Sequence, residues 1–278
     1  MARTRSWLYV PGHREGWIAK ARSSGADVVI ADLEDGVPLD AKDAAVALVV
    51  DVLRGGADGV PVWVRVDPAR LSDVTSVAEA GAAGIVLPKS GVELVAEVDA
   101  LLGGRPLPLV PLVESAVGLH ELAAVAAYDR VLRFGMGEAD LCADLGLMPS
   151  ADRSELAPYR AHVVSASARW GKQPPIGSTS TELRDLQSVR ASTEVLLRQG
   201  FRARTAVHPS QAAVINEVLT PTTEEVEAAR EVVAASSGAS AVGGRMVDEA
   251  VARAAREVLS RAGGEGPART ISTDGSVA

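Results

Sequence analysis

The sequence is poor in the residue types that build disulfides and zinc sites. Cys142 is the only cysteine among the 278 residues, so no disulfide can form within the chain and a cysteine-rich zinc site is excluded. We expect Cys142 to be a small, buried apolar side chain. The four histidines show neither HxH nor HExxH spacing, which disfavours a zinc centre built on histidine.

Aromatic residues are also scarce. They make up 3% of the chain, whereas hydrophobic residues make up 47%, mostly Ala, Val and Leu. A chain of this length can bury a large core without covalent cross-links. An aliphatic core fits the layers of branched side chains inside a barrel better than it fits an aromatic binding surface.

Positive charge and long apolar runs are lacking as well. The formal net charge of −8 argues against nucleic acid as a partner. No stretch approaches the roughly 20 apolar residues of a membrane span. The apolar run Trp7–Val10 ends at Pro11 and is too short for a signal peptide. We therefore expect a cytoplasmic protein that has small-molecule partners and does not bind a membrane.

Short runs rich in β-branched residues recur along the chain and alternate with Ala-rich stretches of helical spacing. This rhythm favours a parallel sheet with right-handed crossovers. Eight repeats predict an α/β fold of the (β/α)₈ TIM-barrel type, and an open doubly wound sheet is the alternative because the seventh run is weak. The predicted strands are Trp7–Val10, Asp27–Asp32, Val62–Val66, Gly84–Leu87, Leu107–Val113, Arg130–Phe134, Pro175–Gly177 and Arg204–Val207.

The end of the chain departs from this alternation. Two helical segments, Thr223–Ser236 and Val247–Arg261, follow the eighth run, and a flexible, glycine-containing hinge over residues 236–244 separates them. The last residues are rich in Gly, Ser and Thr, which predicts disorder. We expect a barrel over residues 1–220, a helical extension or lid over 221–262, and a disordered tail over 263–278.

Polar residues are concentrated where the predicted strands end, which is the end of a TIM barrel that carries the active site. A purely structural role can also explain each of these polar residues. Asp32 or Asp35 could cap a helix, Arg65 could form a buried ion pair or face the barrel mouth, and we expect His208 to be a hydrogen-bonded core histidine. The residues concerned are Asp32, Glu34, Asp35, Arg65, Asp67, Lys89, Glu114, Glu138, Asp140 and His208.

Glu114 and Asp140 are the strongest candidates for a metal site. Glu114 ends an almost wholly apolar run, and Asp140 follows a glycine-rich turn that contains Gly137. Two carboxylates on neighbouring strand ends suit Mg²⁺, which is hard and six-coordinate and keeps several waters that a substrate can displace. We also expect Glu114, Asp140 and Gly137 to contact the substrate.

Eight short motifs follow one another along the chain from about residue 3 to residue 260. They are Arg5–Gly12, Asp32–Asp35, Val64–Val66, Val86–Lys89, Leu112–Ser115, Phe134–Gly135 with Asp140–Leu141, Val207–Gln211 and Gly244–Asp248. In order and spacing these motifs, which are weak singly, resemble those of citrate lyase β-subunit-like proteins of the HpcH/HpaI aldolase superfamily.

This resemblance implies a (β/α)₈ barrel that assembles into trimers or hexamers, with Mg²⁺ on Glu114 and Asp140. It implies that Arg65 holds the carbonyl or carboxylate end of the substrate. It also implies that Asp248, on a C-terminal segment covering the site of a neighbouring subunit, is the acid/base. Asp67 stands where relatives commonly have Asn, so its extra negative charge near Arg65 is expected to affect the substrate. Arg204 stands where Lys is common, and residues 172–179 lack an aspartate often found there.

The function that these expectations favour is a Mg²⁺-dependent aldol- or Claisen-type carbon–carbon lyase. It would act on a 3-hydroxyacyl thioester such as malyl-CoA, citramalyl-CoA or a citryl thioester, and Mg²⁺ and Arg65 would stabilise the charge that develops as the bond breaks. The alternatives are an aldolase on free 2-oxo acids, a malyl-CoA-type thioesterase, a non-catalytic binding barrel, and a subunit of a larger lyase complex. Arg14, Lys20 and Lys89 could contact CoA phosphates or be solvated surface charges.

Overall fold

The computed structural model describes residues 4–263, apart from 57–58, 181, 183, 236–239 and 243–244. Residues Thr4–Glu217 form one compact unit, and the described residues from Val218 onwards form a second. Of the predicted hinge, residues 236–239 and 243–244 lie outside the described residues, whereas Ser240–Val242 form a strand, so a hinge without secondary structure is wrong for these three residues. The predicted tail from residue 264 lies outside the described residues. The domain boundaries drawn from the sequence therefore stay a prediction.

Within the described residues, eight parallel strands form a closed barrel in the order β1 to β8, with β1 hydrogen-bonded to β8. The TIM-barrel prediction is confirmed, and the open-sheet alternative is wrong. The strands are β1 (Ser6–Pro11), β2 (Val28–Asp32), β3 (Val62–Arg65), β4 (Ile85–Leu87), β5 (Leu109–Val113), β6 (Gly135–Met136), β7 (Ile176–Gly177) and β8 (Ala203–Ala206).

Helices separate the strands, as the alternation of the sequence predicts. No helix in the described part of the chain is long and apolar enough to span a membrane. The helices are α1 (Trp17–Arg22), α2 (Lys42–Arg54), α3 (Ser72–Glu79), α4 (Val92–Leu102), α5 (Ala116–His120), α6 (Leu122–Ala126), α7 (Glu138–Leu145), α8 (Ala157–Arg169), α9 (Leu186–Arg198), α10 (Pro209–Leu219), α11 (Thr223–Ala235) and α12 (Glu249–Ala262).

The sixth strand lies later in the chain than its sequence indicates. The sequence pattern predicts a strand over Arg130–Phe134, whereas β6 covers Gly135 and Met136. The predicted segment does approach its neighbours, because Leu132 donates to the Leu109 carbonyl over 2.9 Å and Val131 forms an isolated bridge with Leu109. A single bridge does not make a ladder, so the aliphatic run marks the approach to the barrel and the glycine-containing turn forms the strand.

Apolar side chains fill the barrel interior, among them Val28 and Ile30 of β2 and Val110 and Leu112 of β5. Strand β2 is buried along its whole length, as expected for a parallel strand covered on both faces. The interior is mostly aliphatic, but Trp7 and Trp63 meet edge to face with their ring centroids 4.9 Å apart. This packed interior lies beneath the polar side chains at the ends of the strands and helps to hold them rigidly.

The C-terminal unit consists of α11, α12 and a two-stranded antiparallel ribbon, β9 (Ser240–Val242) with β10 (Arg245–Val247). A capping box begins α11, since Glu225 accepts from the Thr222 amide and Thr222 accepts from the Glu225 amide. Asp248 caps α12 by accepting from the Val251 amide over 2.9 Å. The predicted helix Val247–Arg261 therefore begins later, at Glu249, because Val247 belongs to the ribbon.

Candidate active site

A cavity of about 520 Å³ opens at the C-terminal ends of the barrel strands. Its floor is apolar and its rim is polar, which is the arrangement typical of ligand sites. The floor includes Trp7, Ile30, Val86, Val110, Leu112 and Ile176, and the rim includes Asp32, Asp35, Arg65, Glu114, Gly137, Asp140, Ser178 and Thr179.

Arg65 is held by two carboxylates from the end of β2. Its Nε and Nη2 each donate to Asp32 over 2.7 Å, and its Nη1 lies 2.7 Å from Oε2 of Glu34. Burial alone would lower the pKa of Arg65, but the hydrogen bonds and charge of Asp32 raise it above its usual value. Both sequence interpretations of Arg65 are therefore correct, because the guanidinium is ion-paired and also lines the cavity.

Asp32 closes the turn that follows β2. Its two carboxylate oxygens accept from the amides of Glu34 and Gly36 over 3.0 and 2.9 Å, in addition to the bidentate contact with Arg65. The helical turn at Leu39–Ala41 is preceded by Pro38, without a side-chain cap. The helix-cap interpretation of Asp32 is therefore wrong, and this carboxylate instead fixes the loop and Arg65 together.

Lys89 connects this charge cluster to Glu114. Its Nζ lies 3.0 Å from Oε1 of Glu34, and its backbone amide donates to Oε2 of Glu114 over 2.8 Å. Lys89 has a φ of 50°, in the left-handed region, which costs a non-glycine residue about 1 kcal/mol. The strain is compatible with a site in which the amide of Lys89 must point at Glu114.

Glu114 and Asp140 both line the cavity, and the structure brings them together. Burial, helped by the nearby charge of Asp140, raises the pKa of Glu114 to about 7, although the hydrogen bond from Lys89 opposes the shift. Asp140 is exposed in the first turn of α7, where the helix dipole favours an anion. Among the described residues, neither Oε1 of Glu114 nor the Asp140 carboxylate has a hydrogen-bond or ion-pair partner.

Gly137 lies directly against Glu114. A Cβ atom added to Gly137 would collide with the Glu114 carboxylate. The turn between β6 and α7 therefore needs glycine here to let the two strand ends approach. Within the described residues, no group of three or more His, Cys, Asp and Glu side chains is arranged to hold a metal. Any cation here would have two carboxylates and would complete its shell with water or substrate.

Glu138 has a structural contact rather than a place on the cavity wall. It is buried and forms a bidentate pair with Arg160 of α8 over 2.7 and 2.9 Å. Its amide donates to the Ser178 hydroxyl over 3.3 Å. The contacts of Glu138 with Arg160 and Ser178 fix the first turn of α7, which also carries Asp140 two residues further along.

Tyr9 extends from β1 into the cavity and packs against Arg65. The guanidinium carbon of Arg65 lies 4.9 Å from the centre of the Tyr9 ring. Burial, together with nearby carboxylates, raises the pKa of Tyr9 above its usual value, although the Arg65 charge opposes the shift. No sequence pattern singles out this residue, since an aromatic side chain in a strand is ordinarily core.

Asp67 does not add a free negative charge to the site, contrary to expectation. Its Oδ2 lies 2.8 Å from Nζ of Lys42, whose ammonium is buried and also donates to the carbonyls of Leu33 and Glu34 over 2.7 Å each. Burial alone would raise the pKa of Asp67, but Lys42 and the Ala69 amide lower it. The charge of Asp67 is thus neutralised while it supports the loop that carries Glu34.

Other candidates fall into several classes. His208 is exposed and its Nδ1 lies 2.7 Å from the Ser210 hydroxyl, so the core-histidine prediction is wrong. Cys142 is buried, as predicted.

Arg204 is buried and donates hydrogen bonds to the Ser178 carbonyl and to residues of α9, while burial lowers its pKa to about 10. Asp248 lies in the C-terminal unit as the cap of α12, and its acid/base role stays a prediction.

The fold and site define a (β/α)₈-barrel protein that carries two neighbouring acidic side chains and a carboxylate-held arginine at the strand ends. Among the described residues, Oε1 of Glu114 and the Asp140 carboxylate have no protein partner. Residues 5–209 match the HpcH/HpaI aldolase/citrate lyase family. The chain belongs to this family, as its sequence motifs predict.

Relatives give this assignment detail. A (3S)-malyl-CoA thioesterase from Cereibacter sphaeroides is 32% identical over 93% of this chain and 94% of the relative. A citrate lyase subunit beta-like protein from Mycobacterium tuberculosis is 33% identical over 92% and 95%. The crystal structure of CitE from M. tuberculosis in complex with magnesium, acetoacetate and coenzyme A superimposes with a TM-score of 0.79 at 31% identity, covering 94% of this chain and 99% of that one.

Proposed function

We propose that this chain is a Mg²⁺-dependent carbon–carbon lyase that splits a 3-hydroxyacyl thioester into an acyl thioester and a 2-oxo acid. Malyl-CoA, citramalyl-CoA and a citryl thioester are the candidate substrates. The observation that carries the proposal is that Glu114 and Asp140, on the wall of a cavity that Arg65 also lines, both have carboxylate oxygens without a protein partner among the described residues.

The side chains present fit magnesium. Oε1 of Glu114 and the Asp140 carboxylate are hard oxygen donors with no protein partner among the described residues. Mg²⁺ commonly takes one or two carboxylates and fills its remaining positions with water and substrate oxygens. When bound, the ion would act as a Lewis acid on the carbonyl oxygen of the 2-oxo acid half. The M. tuberculosis relative was crystallised with magnesium and pyruvate, which supports this assignment.

The remaining chemistry falls to side chains of this protein. In the cleavage direction the 3-hydroxyl group loses its proton, the bond between C2 and C3 breaks, C3 becomes the carbonyl of the 2-oxo acid, and C2 receives a proton. Arg65 would hold the carboxylate or carbonyl end of the substrate, because Asp32 and Glu34 fix its guanidinium at the cavity wall. Asp248 of a neighbouring subunit in a trimer or hexamer would carry the proton.

A CoA thioester substrate also needs protein contacts with its CoA part, away from the reacting atoms. Trp17 lines the mouth of the cavity, and the guanidinium of Arg14 lies 5.7 Å from the centre of its ring. We propose that Arg14, Lys20 and Lys89 contact CoA phosphates. The complex of M. tuberculosis CitE with coenzyme A supports a thioester rather than a free 2-oxo acid as substrate.

A second candidate function is hydrolysis of a malyl-CoA-type thioester. The relative from C. sphaeroides, named (3S)-malyl-CoA thioesterase, favours it. The two reactions differ in their products. The lyase gives acetyl-CoA and glyoxylate from malyl-CoA, whereas the thioesterase gives malate and free CoA.

The test is to incubate the protein with malyl-CoA or citramalyl-CoA, with Mg²⁺ or with EDTA, and to separate the products by chromatography. We expect Mg²⁺-dependent formation of acetyl-CoA with the matching 2-oxo acid. Glu114→Gln and Asp140→Asn should abolish turnover, and Arg65→Lys should lower the rate by about 10²-fold. Glu97→Gln, which changes an exposed carboxylate on α4, is the matched control and should turn over normally.

Each other outcome names a different function. Free CoA with malate would favour the thioesterase. Condensation of pyruvate with an aldehyde in the absence of CoA would favour an aldolase on free 2-oxo acids. No turnover of any of these substrates in the presence of Mg²⁺ would contradict the lyase proposal and favour a binding barrel or a subunit that needs an acyl carrier partner.

A further inference from the structure

Tyr9 occupies the inner face of β1. Side chains alternate along a strand, so Trp7, Tyr9 and Pro11 face the same side, and all three line the cavity. Tyr9 therefore lies between the apolar floor formed by Trp7 and the polar rim. The ring contacts the guanidinium of Arg65 at 4.9 Å, a distance at which a cation is attracted to an aromatic face.

The hydroxyl of Tyr9 has no hydrogen-bond partner among the described residues. The hydroxyls nearby on the cavity wall are satisfied, because those of Thr179 and Thr205 lie 2.7 Å apart and that of Ser178 accepts from Glu138. A tyrosine that is largely buried usually finds a partner for its O–H group. A free O–H group on the wall of a cavity points to a partner that enters the cavity.

The charges around Tyr9 determine what that partner must be. Its environment keeps the phenol protonated at neutral pH, so Tyr9 offers a donor. Arg65 offers further donors on its terminal nitrogens, since its hydrogen bonds to Asp32 use Nε and one hydrogen of Nη2, and Nη1 forms an ion pair with Glu34. A phenol and a guanidinium side by side form a donor edge that matches a carboxylate.

We propose that the Tyr9 hydroxyl, next to Arg65, donates a hydrogen bond to the carboxylate of the 2-oxo acid half of the substrate. This inference rests on the proposed lyase function and assigns to Tyr9 the recognition of the carboxylate of its 2-oxo acid half. Asp32 and Glu34 neutralise much of the Arg65 charge, so a second donor strengthens the preference for a carboxylate over an uncharged group.

The test compares Tyr9→Phe with the wild-type protein by calorimetric titration of glyoxylate and of pyruvate into protein saturated with Mg²⁺. The substitution keeps the ring over Arg65 and removes only the hydroxyl. We expect both 2-oxo acids to bind at least about tenfold more weakly, the size expected for one hydrogen bond to a charged group. The affinities for Mg²⁺ alone and for acetyl-CoA should stay the same. The melting temperature should also be unchanged, because no protein contact is lost.

Tyr159→Phe, which removes the hydroxyl of a half-buried tyrosine on α8, is the matched control and should bind like the wild type. Equal affinities of the wild type and Tyr9→Phe for both 2-oxo acids would overturn the inference and leave the lyase proposal standing. An equal loss for acetyl-CoA would overturn it too, since the hydroxyl would then not act on the carboxylate. If the wild type itself binds no 2-oxo acid, both proposals fail.

Discussion

Gly137 and Glu114 are packed so closely that a side chain at residue 137 and the observed Glu114 carboxylate exclude each other. The contact joins the end of β5 to the turn that leads into α7, and Asp140 lies three residues after Gly137, in the first turn of that helix. The glycine therefore sets how closely the two proposed metal ligands approach. This makes Gly137 a packing determinant of the site, in addition to its proposed contact with substrate.

Gly137→Ala is expected to lower the affinity for Mg²⁺ by at least about tenfold, because a displacement of about 1 Å at a preorganised site is costly. Isothermal titration with Mg²⁺ measures the change. Gly104→Ala is the matched control, since a Cβ atom there meets nothing within 4 Å and the backbone φ of Gly104 is not positive. Unchanged Mg²⁺ affinity in Gly137→Ala would show that Glu114 moves aside freely or does not bind the ion.

The raised pKa of Glu114 predicts a pH dependence for metal binding. With a pKa of about 7, the metal-free carboxyl is mostly protonated at pH 6 and mostly ionised at pH 8. Since Mg²⁺ binds the ionised form, its affinity should rise as the pH increases through 7 and level off above it. Calorimetric titrations with Mg²⁺ in two buffers of different ionisation enthalpy measure how many protons are released for each Mg²⁺ bound. This number should be almost one at pH 6 and close to zero at pH 8.

Glu114→Gln and Asp140→Asn separate the causes of this behaviour. The first removes the titrating group, so no proton should be released at either pH. The second removes a like charge that raises the pKa of Glu114, so proton release should shift to lower pH. Mg²⁺ affinity that is flat between pH 6 and pH 8 in the wild type would contradict a carboxyl titrating near 7 in the metal site.

The alternation of short strands with helices predicted the barrel, because strand ends marked by Pro or Gly punctuate the chain at regular intervals. It also predicted that Glu114, Asp140 and Arg65 would lie together, since the strand ends of a barrel share one face. The late start of β6 could not be predicted. The run Arg130–Phe134 has strand composition, but only tertiary hydrogen bonding decides where a ladder begins.

Partners of charged residues were the other part that pattern alone could not supply. Asp67 and Lys42 are 25 positions apart and belong to different elements, so nothing local indicates their ion pair. His208 follows a strand, as a core histidine would, but is exposed in the bend that directly precedes α10. Tyr9 looks like any strand aromatic, and only the missing partner of its hydroxyl distinguishes it.

The ion pair of Asp67 with Lys42 should act on stability more than on chemistry. Asp67→Asn keeps an oxygen that can accept from Lys42 but removes the charge, and Asp67→Ala removes both. We expect Asp67→Asn to lower the free energy of unfolding by about 1 kcal/mol and Asp67→Ala by about 2 kcal/mol. The first variant weakens the hydrogen bond from the buried ammonium of Lys42, and the second removes it. Urea denaturation followed by circular dichroism measures both.

Asp43→Asn is the control for this series, since Asp43 pairs with Arg70 at the surface with its side chain 88% exposed, and should leave stability unchanged. If Asp67→Asn changed the preference between malyl-CoA and citramalyl-CoA while stability stayed the same, the charge of Asp67 would act on the substrate after all. That result would contradict its neutralisation by Lys42.

The proposed role of Asp248 makes a prediction that only a site shared between subunits can satisfy. Glu114→Gln and Asp248→Asn should each be inactive alone. When the two variants are unfolded together and refolded in equal amounts, about a quarter of the sites in a cyclic oligomer receive both wild-type residues, one from each neighbour. Activity should therefore return to about a quarter of the wild-type value. A pair made of Glu114→Gln and Asp140→Asn should stay inactive, because both residues belong to the same barrel. If Asp248→Asn turned over normally, or if the refolded mixture of Glu114→Gln and Asp248→Asn were as inactive as each variant alone, Asp248 would not act in the catalytic site of a neighbouring subunit.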